Sequence, residues 1–82
     1  MDKVSFIAYE LYHSTNDANN RKMALELLRG ETTIKEISKD KVLKGSVNAA
    51  QEKYKRFDFF SHSNEYAEIV SFIEEHFYSA PM

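Results

Sequence analysis

Between Lys44 and Arg56 the chain interleaves Ser46, Asn48 and Gln51 with the cations Lys44, Lys53, Lys55 and Arg56. Asn and Gln carry a donor and an acceptor side by side, the pattern that pairs bidentately with the major-groove edge of adenine. Lys and Arg neutralise phosphate. At helical spacing this set would offer base-reading amides flanked by phosphate-binding charge, the chemistry of a duplex DNA surface. The bland reading of the same residues is the solvated face of an ordinary helix.

Charge is divided unevenly along the chain. Its formal total is −2, yet residues 21–56 hold ten cations against five carboxylates, while residues 57–82 hold five carboxylates and no Lys or Arg. Such polarisation bears on partners rather than on fold. Arg21 and Lys22 would extend the basic region. An acidic C-terminal segment would have to lie away from any bound duplex.

Other chemistry finds little support. The chain has no cysteine, so disulfides, thiolate metal sites and a cysteine nucleophile are excluded, and a reducing cytoplasm suits it. His13, His62 and His76 belong to no recognised ligand spacing, and neither a metal nor a cofactor is expected. No phosphate-cradling glycine loop, nucleophile elbow or convincing carboxylate pair is present, which points away from an enzyme. No apolar run is long enough for a membrane span, and the mixed N-terminal residues read as folded structure rather than as a signal.

The elements that would position these residues are helices. Eighty-two residues with 43% apolar content, two Gly and one Pro predict a single all-α domain over residues 1–82, a compact bundle of four to five short helices. Val4, Ile7, Ala8 and Leu11, with Phe6, Tyr9 and Tyr12 widening the apolar face, give a first helix over residues 3–13, capped by Asp2. A polar loop from Ser14 leads to a second, capped by Asp17 or Asn20, with Met23, Ala24, Leu27 and Leu28 inward and Gly30 closing it. Thr33 and Glu36 form a capping box for a third, with Ile34 and Ile37 inward, ending near Lys41. Val42 and Leu43 read as buried turn residues. Ser46 is the expected cap of a fourth helix, with Val47, Ala50, Tyr54 and Phe57 inward, running to Phe59 or Phe60. Ser63 or Asn64 caps a fifth, with the stripe Tyr66, Ile69, Val70, Ile73 and Phe77, and residues 79–82 read as a frayed end.

Residues 33–57 thus resemble a helix-turn-helix, with Ser38 as the small residue, Leu43 as the turn anchor, and Val47 and Ala50 as the inner pair. Two departures stand out: the turn reads about one residue long, and Lys41 or Val42 stands where glycine is frequent. The resemblance implies a small DNA-binding regulator, dimeric because one short reading helix gives little affinity. Ser46, Asn48 and Gln51 would reach bases from the N-terminal half of the fourth helix, while Lys44, Lys53, Lys55 and Arg56 would bind phosphates. The alternative is a non-enzymatic adaptor or inhibitor that binds another protein through the acidic C-terminal helix, where Phe59, Phe60, Tyr66, Phe72, Phe77 and Tyr78 exceed what one helix face can bury.

Overall fold

The computed structural model describes residues 2–58 and 60–78, the last two by backbone alone. The expected frayed end at residues 79–82 lies outside them. Five α-helices follow in order: α1 Lys3–His13, α2 Ala18–Leu28, α3 Ile34–Ile37, α4 Lys41–Arg56 and α5 Ser63–Ile73, continued by a wider π-helical turn over Glu74–Tyr78. The all-α bundle expected from composition is the fold found.

Helix α1 is the central member and packs against α2, α4 and α5. Asp2 starts it, its Oδ1 accepting from the Ser5 amide at 2.7 Å. Phe6, Ile7, Ala8 and Leu11 are buried, whereas Val4, expected inside, is 39% exposed. Phe6 displaces it because an aromatic ring buries more apolar area than an isopropyl group. Its ring meets Tyr54 and Phe57 edge-on, at centroid distances of 5.3 and 5.1 Å.

Helix α2 begins at Asp17, whose Oδ1 accepts from the Asn20 amide at 3.1 Å. It closes at Gly30, with φ of 78°, where the Glu31 amide donates to the Glu26 carbonyl and the Gly30 amide to the Leu27 carbonyl. That pair of bonds is a Schellman closure, and it requires the left-handed residue that glycine supplies without strain. Ala24, Leu27 and Leu28 join the core. Thr33 Oγ1 then accepts from the Glu36 amide and opens α3, but the box is half formed, because Glu36 Oε1 turns to Lys39 Nζ at 3.2 Å rather than back to the Thr33 amide.

Helix α4 corrects the sequence reading most. It starts at Lys41, not after Ser46, because Asp40 Oδ1 accepts from both the Val42 and Leu43 amides, at 2.9 and 3.1 Å. Two free N-terminal donors are satisfied by one carboxylate, which the helix dipole also favours. Gly45 and Ser46 are therefore interior helical residues. A glycine there costs about 1 kcal/mol against alanine, which burial of Leu43 and Val47 on the same helix offsets. The link between α3 and α4 is short, Ser38 to Asp40, rather than long. At its other end α4 stops at Arg56, short of Phe59 or Phe60, as Phe57 turns extended.

Asp58 organises the next turn by accepting from the Ser61 hydroxyl at 2.7 Å and from the Phe60 and Ser61 amides. These bonds hold its carboxyl below the usual aspartate value, the Ser61 hydroxyl contributing most. Helix α5 follows from His62 without a side-chain cap, so neither Ser63 nor Asn64 plays that part. Its buried residues are Ile69 and Phe72, while Tyr66 is 37% exposed. Phe72 takes the inward place because Tyr9, Tyr12, His13 and His76 surround it, with ring centroids 4.6 to 5.5 Å away. The side chain of Phe77 lies outside the described residues.

Candidate nucleic-acid interface

Asp40 fixes the phase of α4, and that phase sorts the residues singled out in the sequence. Lys41, Lys44, Asn48, Gln51 and Lys55 fall at i, i+3, i+7, i+10 and i+14 and so share one stripe of the helix. Gln51 is half-buried at the edge of the stripe and the others are exposed. The stripe contains three ammonium groups, two amides and no carboxylate. Glu52 borders it, 3.4 Å from Lys55 Nζ and 4.0 Å from the Arg56 guanidinium. Both contacts are solvent-exposed and readily exchanged for a phosphate.

Lys53 is engaged elsewhere. It lies two residues from Lys55, which places it about 160° round the helix. Its Nζ sits 2.8 Å from Glu10 of α1 and 2.9 Å from Glu65 of α5. Hydrogen bonding to Glu10, then to Glu65, raises the Lys53 pKa above the ordinary lysine value, although burial pulls the other way. Oε1 of Glu10 is shut off from solvent, so the Lys53 ammonium is the charge that meets it. The side chain expected to hold phosphate thus ties three helices together. The contact also sets Glu65 on the far side of α4 from the stripe, as a basic binding face requires of acidic residues.

Ser46 lies on the Lys53 side, where Glu10, Ser14, Ser46, Ala49, Ala50 and Lys53 line an open groove of about 200 Å³. Arg56, the residue after Lys55, is exposed at the margin of the stripe and shares the Glu52 carboxylate with Lys55. Arg21 folds back on its own loop, its Nε donating to the Thr15 carbonyl at 2.8 Å and its guanidinium carbon 4.7 Å from the centre of the Tyr12 ring. Arg29 donates to the His76 carbonyl. Lys22 is exposed on α2.

Of the seven residues picked out in the sequence, Lys44, Asn48, Gln51 and Lys55 share the stripe, Arg56 lies at its margin, and Ser46 and Lys53 lie round the helix from it. Lys41 joins the stripe because α4 starts there, capped by Asp40, whereas the sequence reading ends the preceding helix near Lys41. Its signal was present: Asp40 is a strong capping residue, and Lys41 continues the heptad spacing of the stripe backward by one step.

Among the described residues no group of three or more His, Cys, Asp or Glu is placed to hold a metal ion, and no helix is long and apolar enough to cross a membrane. Compared with known protein families, curated proteins and solved structures, the chain matches none.

Proposed function

We propose that this chain is a small DNA-binding protein that sets the exposed stripe of α4 into the major groove of a duplex and regulates by occupancy rather than by chemistry. The observation that carries the reading is the stripe itself: cations at both ends, amides between them and no carboxylate within it. Lys44 and Lys55 stand roughly 16 Å apart along the axis at ~1.5 Å per residue. With α4 lying in the major groove, their ammonium groups would meet phosphates at separate points along its rims. The amides of Asn48 and Gln51 would face the floor. Contact is through the middle of α4, since the helix begins well before Asn48.

Binding through α5 to a protein partner has less behind it. Phe72 is taken up by the core, and among the residues whose side chains are described Phe60 and Tyr66 are the exposed aromatics on that side. Titration of a labelled random-sequence duplex with the full chain near ~50 mM salt, where phosphate contacts are strong, tests the DNA reading. Saturable binding is expected, and its absence would remove the proposal.

A further inference from the structure

We infer that the duplex sequence this chain prefers carries adenines at two neighbouring base pairs, read by Asn48 and Gln51. The inference rests on the DNA reading above and extends it from phosphate binding to base choice. Neither amide side chain makes a hydrogen bond with another described residue, so both heads keep their donor and acceptor for a ligand. An amide matches adenine, whose major-groove edge offers an acceptor at N7 and a donor at N6, and guanine has no such donor there. The two residues are three apart on α4. Their offset along the axis is about 4.5 Å at ~1.5 Å per residue, against roughly 3.4 Å between base pairs, so adjacent pairs fall within their reach. The stripe holds no arginine, the side chain best shaped for guanine, and its lysines flank the amide pair along the helix.

Selection of duplexes from a random-sequence pool by the full chain at ~50 mM salt, followed by sequencing, tests this. The expected result is enrichment of adenine at two neighbouring positions. Asn48→Ala and Gln51→Ala should each flatten the preference at one of them, by about 5- to 150-fold for a lost bidentate contact, while leaving the salt dependence unchanged. Retained duplexes with no base bias, or with guanine favoured, would overturn the inference and leave DNA binding standing. Retention of no duplex at all would overturn both.

Discussion

The ammonium of Lys53 lies 2.8 Å from a Glu10 oxygen that solvent does not reach, across forty-three residues of chain. This contact separates the basic residues that build the fold from those that face outward. Lys53→Ala would leave the Glu10 oxygen without its partner. The cost should be about 1 kcal/mol, a figure reduced from the range for an unpaired buried acceptor because the Lys53 side chain is itself 46% exposed. Lys55→Ala, which breaks only an exposed contact to Glu52, should stay within about 0.5 kcal/mol of the parent. Urea unfolding of the two variants side by side checks this, and equal losses would contradict it.

The same contact makes stability sensitive to alkali. The Lys53 pKa is raised in the folded chain, chiefly by hydrogen bonding to Glu10. The Tyr9 pKa is raised as well, first by burial and then by Glu68, which accepts from its hydroxyl at 3.5 Å. In both cases the folded state holds a proton that the unfolded chain gives up sooner. Their contribution is therefore complete below the ordinary values of 10.5 for lysine and 10.0 for tyrosine, and it is lost as pH rises through the raised ones. Melting temperature should fall above about pH 10, less steeply in Lys53→Met and Tyr9→Phe.

The two glycines should respond in opposite directions. Gly45 sits inside α4, and a methyl group there would meet nothing within 4 Å. Gly45→Ala should stabilise the chain by about 1 kcal/mol through helix propensity alone. Gly30 holds a φ of 78° at the close of α2, so Gly30→Ala should destabilise it by roughly the same amount. Thermal melts of both variants give the signs.

Phe72 is the core residue of α5, ringed by Tyr9, Tyr12, His13 and His76. Phe72→Ala should cost about 3–5 kcal/mol. Tyr66→Ala, at a position 37% exposed, should cost much less, and chemical denaturation compares the two. A larger loss at Tyr66 would mean that α5 is rotated from the orientation described.

Local chemistry was legible in the sequence wherever one residue acts on its neighbours. The caps at Asp2, Asp17 and Thr33, and the closure at Gly30, all follow from side chains bonding a backbone three residues away or from a glycine's backbone freedom. The start of α4 was misread because Gly45-Ser46 resembles a stop and a new cap, while the carboxylate of Asp40 had already begun the helix. Periodicity alone could not choose between Val4 and Phe6, or bring Phe72 inward, because ring packing across helices decides those places. In the site, Lys44, Asn48, Gln51 and Lys55 were visible by type and spacing. The removal of Lys53 was not, since its partners Glu10 and Glu65 meet it only once three helices are packed.

The most direct test of the account is the salt dependence of duplex binding by the parent chain, Lys44→Ala, Lys55→Ala and Lys53→Met. Each phosphate contact contributes about 0.9 to the slope of log K against log salt. Saturable binding is expected near ~50 mM salt, with a slope shallower by about 0.9 in each of the two stripe variants and a parent-like slope in Lys53→Met. Absence of duplex binding at that salt, or slopes unmoved at Lys44 and Lys55, would contradict it.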